Sequence, residues 1–232
     1  MSYLHVLESG ELEVVGRLVE ASNATLFARI TLHDESVSAI YKPIAGERPL
    51  WDFPDGNLAS REYAAFLISE WGNWHLIPQT LLRDGPFGFG AVQLWIDIDE
   101  EFELADFFSR EDQQLRSLAL LDAVLNNTDR KIGHLLMDSN HKLYACDHGV
   151  TFHSEDKLRT VIWQFAGMAL SSEELVQLKS LLSAIESNVH ALKELITSEE
   201  IAALKMRIHR LLKEETFPHP REDWPSIPWP PF

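Results

Sequence analysis

Lys42, Glu62, Asp129, Lys131, His134 and Asp147 have the types, and the chain order, that phosphoryl transfer requires. That chemistry needs a turn to cradle phosphates and a lysine to orient them. It also needs a metal-binding carboxylate and a second carboxylate beside the attacking hydroxyl. Lys42 closes a strand-like run, Tyr41-Lys42-Pro43, from which a lysine can reach the α- and β-phosphates of a nucleotide. Glu62, on the helix that follows, can pair with it and hold it in position. Taken singly, each has an ordinary alternative: a solvated lysine at a strand end, or an exposed helix carboxylate.

Asp129 follows an apolar helix and precedes a short strand, so it falls in a connecting loop, where catalytic side chains are commonly mounted. Lys131 can neutralise charge on the transferring group. His134 stands five residues after Asp129, the spacing between the catalytic Asp and the metal-binding Asn in H-R-D-x-x-x-x-N. Asp147-His148-Gly149 ends a two-strand hairpin, where a metal carboxylate would sit; Mg²⁺ prefers hard oxygen ligands. Asp-Arg-Lys or Asp-His-Gly alone arises easily by chance, but the ordered set is far more specific. A metallohydrolase would be the competing use of ten His and many carboxylates. However, no H-x-x-x-H or H-x-D pair lies on a convincing helix or strand end.

These side chains must be positioned by the elements around them. ELEVVGRLV, TLFARITL and SVSAIYKP, within residues 11–43, have strand composition. Ala21-Ser22-Asn23-Ala24 and His33-Asp34-Glu35-Ser36 form the turns between them. Residues 45–57 are a Gly/Pro/Asp-rich loop. Residues 58–71 predict a helix with Asn57 as N-cap and Gly72 as terminator. IPQTLLRD and AVQLWIDI predict two further strands around the turn GPFGFG. From about residue 100 the pattern is helical. Residues 112–126 are apolar on most sides, and HLLMD and KLYACD form a short hairpin. Residues 171–215 are amphipathic in two or three pieces, with capping signals at Ser171 and Thr197. The tail, FPHPREDWPSIPWPPF, reads as an extended strap packing Trp224 and Trp229 on the body, with a Pro-rich partner motif as the alternative. The fold class is therefore α+β: an antiparallel sheet with one helix, then a mostly helical part.

The chain has 232 residues, 45% of them apolar, which is a globular composition. Its 36 acidic residues against 20 basic ones give a formal charge of −16. That balance excludes nucleic acid as the expected partner and argues against stable membrane association. A phosphorylated ligand needs only a local basic group and a metal. The single cysteine, Cys146, rules out an intrachain disulfide framework. The start, MSYLHVLESG, has no basic segment followed by a long apolar run, so a cytoplasmic location is expected.

The segments Tyr41-Lys42-Pro43, Arg61-Glu62-Tyr63-Ala64-Ala65, Ile77-Pro78-Gln79-Thr80, Asn127-Thr128-Asp129-Arg130 and Asp147-His148-Gly149 resemble the phosphatidylinositol 3-/4-kinase-like superfamily. The likeness is nearest to type II phosphatidylinositol 4-kinases and, more distantly, HipA-like bacterial kinases. GRLVEASNAT, YKPIAGERPLWDFPDG, VQLWID and DHGVTFH look like a bacterial group of small proteins within it. For that group the likeness covers most of residues 10–170.

The resemblance implies a two-lobed protein-kinase-like fold. Residues 1–96 would form the N-lobe, 97–216 the C-lobe and 217–232 a strap. It implies ATP with Mg²⁺ or Mn²⁺. Lipid specificity does not carry over: the net charge of −16 and the lack of a basic amphipathic helix point to a protein or small-molecule hydroxyl as acceptor. Lys42 matches the phosphate-orienting lysine, Glu62 its helix partner, Asp129 the catalytic-loop aspartate, and Asp147 the metal carboxylate. Ser22, Asn23, Ala24 and Thr25 fall at the phosphate loop, without its usual glycines. Leu94, Trp95 and Ile96 fall near the hinge that would face adenine. His134 stands where the superfamily has Asn, and imidazole suits Mn²⁺ better than Mg²⁺. Lys131 stands where the lipid kinases often have His. An active kinase and a catalytically weak or inactive nucleotide-binding pseudokinase are both consistent with these departures, as is transfer of AMP in place of phosphate.

Overall fold

The computed structural model of the chain describes residues 2–18 and 24–231. Its first element, α1 (Leu4–Ser9), was not expected from sequence. Tyr3 offers it no side-chain cap, and it is held by burying Val6 and Leu7 against the sheet. The strands β1 (Glu11–Arg17), β2 (Leu26–Leu32), β3 (Glu35–Pro43), β4 (Thr80–Gly85) and β5 (Gly88–Leu94) form one antiparallel sheet in the order β1-β2-β3-β5-β4.

Strand periodicity divides the two faces of this sheet. Leu26, Ala28, Ile30, Ala39, Tyr41 and Val92 join α1 in a small apolar cluster. Phe27, Ile40, Lys42 and Gln93 point the other way, and α2 (Leu58–Trp71) packs on β4 and β5. Gly90 pairs with Pro43 in the β3–β5 ladder. A Cβ there would collide with the Lys42 carbonyl, so glycine allows β5 to close on the strand that carries Lys42.

Two strands differ from expectation. β4 starts at Thr80, not Ile77, because Pro78 has no N–H to give the ladder. The turn before β5 is shorter than GPFGFG, with Gly85 pairing Gly88, and β5 leaves the sheet after Leu94.

α2 runs as predicted, its Asn57 cap accepting the Ser60 N–H at 2.7 Å. Glu47 takes the N–H groups of Leu58 and Ala59 as well, so the preceding loop satisfies two more orphan donors. The helix is buried nearly all round, because the sheet lies on one side and the helical part on the other.

That helical part holds α3 (Leu104–Phe108), α4 (Gln113–Leu125), the short hairpin β6 (Leu135–Met137) and β7 (Leu143–Ala145), α5 (Ser172–Ser187), α6 (Val189–Lys193) and α7 (Ser198–Glu214). Capping boxes form at Ser171/Glu174 and at Thr197/Glu200. One large core joins Ala64, Ala65, Phe66 and Ile68 of α2 to α4, the hairpin, α5, α7 and Phe217. The two sheet faces are thus tied to different partners, and α2 is the element shared with the helical core.

The tail is extended over the body. Ser226 O accepts from Thr160 N and Trp163 Nε1, and Pro231 O accepts from Ile132 N at 2.9 Å. Trp224 is half-buried, but Trp229 is 86% exposed. The expected packing of Trp229 is therefore corrected: the backbone of the last residues does the holding. Among the described residues, no helix is long and apolar enough to cross a membrane.

Candidate active site

β3 sends Lys42 off the sheet face that α2 shares, and α2 sends Glu62 to meet it. Lys42 Nζ donates to Glu62 Oε1, and to Asp147 Oδ1 at 3.1 Å. The other Glu62 oxygen accepts the backbone N–H of His148 at 3.0 Å. One buried carboxylate therefore locks the sheet lysine to the backbone of the Asp147-His148-Gly149 turn. Burial opposes the ammonium charge, but Asp147 and Glu62 outweigh it and hold the Lys42 pKa above its ordinary value. Lys42 lowers the Asp147 pKa against the opposing effect of burial, so that carboxyl is firmly ionised. Asp147 also has φ 60°, a left-handed conformation that Asp tolerates.

The second carboxylate comes from the loop after α4. Asn126 ends that helix in the left-handed conformation, φ 54°. Asn127 Oδ1 then accepts the Asp129 N–H at 3.0 Å, and the Thr128 N–H and hydroxyl both donate to Val150 O. Asp129 pairs with Lys131 at 3.1 Å. Burial pushes the Asp129 carboxyl upward, partly offset by Lys131. A carboxylate made more basic in this way is suited to accept a proton.

His134 Nε2 lies 3.5 Å from Asp147 Oδ2. The spacing resembles an ion pair, but burial pushes the imidazole down to about 4, so the ring is neutral at pH 7. Asp147 and His134 are thus one hard oxygen and one neutral nitrogen side by side. Among the described residues, no three His, Cys, Asp or Glu side chains gather as a closed metal cage. Such a pair could hold a cation that takes most of its ligands from phosphate and water, with the imidazole favouring Mn²⁺ over Mg²⁺.

Behind these groups lies a network that sequence reasoning did not single out. Arg130, wholly buried, donates to both oxygens of Asp122, to Cys146 O at 2.8 Å and to His148 Nε2 at 2.6 Å. Asn127 Nδ2 donates to Asp122 as well. Burial and the Arg130 charge keep the His148 imidazole far below its usual pKa. It is therefore neutral, and its Nε2 is the acceptor. The loop of Asp129 and the turn of Asp147 are thereby joined through Arg130, which Asp122 holds in place. The available signal was Asp122 standing in the otherwise apolar second half of α4, Leu118 to Leu125.

Leu94, Trp95 and Ile96 follow the end of β5. Leu94 N donates to Gln79 O, and Trp95 N to Ser38 O. The Trp95 ring meets Phe27 edge-on at 5.1 Å between centroids. Phe27 and Ile40 share this face with Lys42, which residue parity along the strands could have shown. Ala24 N donates to Gly46 O at 3.2 Å, and Thr25 O accepts from Leu18 N. Ala24 and Thr25 therefore sit beside the turn that follows Lys42. Ser22 and Asn23 lie outside the described residues.

The fold is kinase-like. Among solved structures the chain resembles the Golgi casein kinase (TM-score 0.51, 13% identity, 91% of this chain and 72% of that one). It also resembles the Helicobacter pylori proinflammatory kinase CtkA (TM-score 0.51, 11% identity, 91% and 94%). At these identities the likeness concerns the fold alone. No family model matches the sequence. The chain is 39% identical to protein Rv2133c of Mycobacterium tuberculosis (strain ATCC 25618 / H37Rv), over an alignment spanning 98% of this chain and 94% of that protein. It belongs to the same family as Rv2133c.

Proposed function

We propose that the protein is an ATP-dependent phosphotransferase that uses a divalent cation, Mg²⁺ or Mn²⁺, to phosphorylate a protein Ser/Thr or small-molecule hydroxyl. The observation that carries this reading is the convergence of Lys42, Glu62 and Asp147 opposite the Asp129–Lys131 pair, within a kinase-like fold. Lys42 has three N–H donors; two meet Glu62 and Asp147, and the third is left for a phosphate oxygen. Asp147 and His134 would hold the cation, which would offset charge on the transferring group. Asp129 would accept the proton of the attacking hydroxyl, and Lys131 would stand over the equatorial oxygens. Phe27, Ile40 and the Leu94–Ile96 segment would face the base, and residues 22–25 the phosphates. The finer placement, in a bacterial group of the phosphatidylinositol 3-/4-kinase-like superfamily, rests on the motif segments quoted above.

The test is incubation with labelled ATP and either cation, scored for autophosphorylation and ATP turnover against Asp129→Ala. Turnover that exceeds the variant's supports the proposal; equal turnover in both sinks it. The second reading is a nucleotide-binding protein with little or no catalysis, favoured by one observation: neutral His134 stands beside Asp147 in place of an oxygen ligand. It predicts stabilisation by ATP without transfer. The mass added to any modified product separates phosphate from AMP.

A further inference from the structure

We propose that a cavity walled by α7, the tail and the segment after Asp147 binds an oxyanion of the phosphate class. The cavity encloses about 30 Å³. Arg207 and Arg210 of α7 line it, with His219 and Arg221 of the tail and Asp156 of the segment that follows the Asp147 turn. A chain of net charge −16 has here gathered three of its arginines around a single carboxylate.

The ion pairs leave one positive charge over. Asp156 is taken by Arg210 at 2.7 Å, and Arg221 is paired with Asp223 at 2.5 Å. Arg221 also donates to Asp156 O at 2.7 Å, which ties the tail to the segment that lines the cavity. Arg207 has no carboxylate partner among the described residues. It is 5% exposed, and two of its nitrogens donate to backbone carbonyls: Nε to Val124 O and Nη1 to His153 O, both at 3.1 Å. Nη2 is buried and meets no acceptor. A buried guanidinium with no carboxylate beside it and one nitrogen without an acceptor favours an anion that can reach that nitrogen. Burial, the nearby Asp156 notwithstanding, drags the Arg207 pKa down to about 10.

The His219 ring adds a further polar edge. It lies on Gly167, φ 73°, where a Cβ would come within 2.5 Å of it, so its position is set by backbone. The space suits one oxygen of a phosphate entering toward Arg207 Nη2, with the rest of the group held at the mouth by Arg210 and Arg221. A planar fork of N–H donors is the geometry that phosphate takes. The occupant is then either a soluble phosphate compound or a phosphorylated side chain; both present the same group.

The test is calorimetric titration of the whole chain with inorganic phosphate and with phosphoserine, against chloride at matched ionic strength. Lys42→Met removes the lysine of the proposed nucleotide cleft and should leave this binding unchanged. Arg210→Gln/Arg221→Gln, at partly exposed positions, should weaken it at least tenfold, and far-UV circular dichroism checks that this variant is folded. Tighter binding of phosphoserine points to a modified side chain, and equal binding to a soluble phosphate. Heats no larger than those of chloride, or equal affinity in the wild type and the double variant, would mean that the cavity holds only water and overturn the proposal.

Discussion

Asp129 and Arg130 are neighbours in sequence, as are Asp147 and His148, yet each pair is split between two regions. Asp129 and Asp147 turn toward Lys131 and Lys42, where solvent reaches them. Arg130 and His148 turn the other way into a buried network with Asp122, where Arg130 is fully engaged and His148 Nδ1 is left without a partner. The open region keeps donors and acceptors in reserve; the closed one spends them on holding two loops together. A residue's exposure, more than its charge, tells which job it has.

The comparison can be broken by substitutions in each region. On the proposed function, Asp129→Asn should lower phosphoryl transfer by about a thousandfold, the range for losing a positioned base. Its melting temperature should stay near the wild type; a large loss of stability would place Asp129 in the scaffold. Asp122→Ala should do the reverse in the first instance, costing about 3–5 kcal/mol in denaturant unfolding because Arg130 keeps a buried, unpaired charge. Unchanged stability there would show that the network is dispensable.

Glu62→Gln should fall between the two. It weakens the tie between Lys42 and the His148 backbone, and kcat/KM should drop about ten- to a hundredfold, with stability lowered by about 1 kcal/mol. The smallest effect concerns pH. His148 stays neutral when folded, whereas in the unfolded chain it takes up a proton near 6.5. Its contribution to stability is complete above that pH and is lost as pH falls, by about 1 kcal/mol between pH 6.5 and 5.5. His148→Gln can keep an acceptor for Arg130 without titrating, so its unfolding midpoint should vary less over that interval.

Much of this arrangement was legible in the sequence, for local reasons. β-Branched and apolar composition marked the strands, and Asn57, Ser171 and Thr197 marked helix starts that the structure shows as side-chain caps. Lysine, helical glutamate, loop aspartate and Asp-His-Gly, read in order, pointed to one cleft, and these side chains do converge. What stayed hidden depends on partners far along the chain. Nothing near Glu62 announces that its second oxygen meets His148, and the buried pairing of Asp122 with Arg130 forms only because the loop after α4 folds back on the helix. α1 lacks a cap and periodic length, so only the sheet beneath it explains it. Trp229 was misjudged because aromatic character suggests burial, whereas the tail is held through the carbonyls of Ser226 and Pro231.

That last contact has a consequence for the order of events in making the protein. Ile132 lies three residues past Asp129, and its N–H is satisfied by a carbonyl almost a hundred residues downstream. A nascent chain can form the sheet, α2 and α4 well before residue 231 exists, but this loop waits for its last anchor. On the proposed function, a product clipped before residue 231 would keep the ties of this loop to Asp122 and Val150 and lose only the bond at Ile132, so its activity would measure what that one contact contributes.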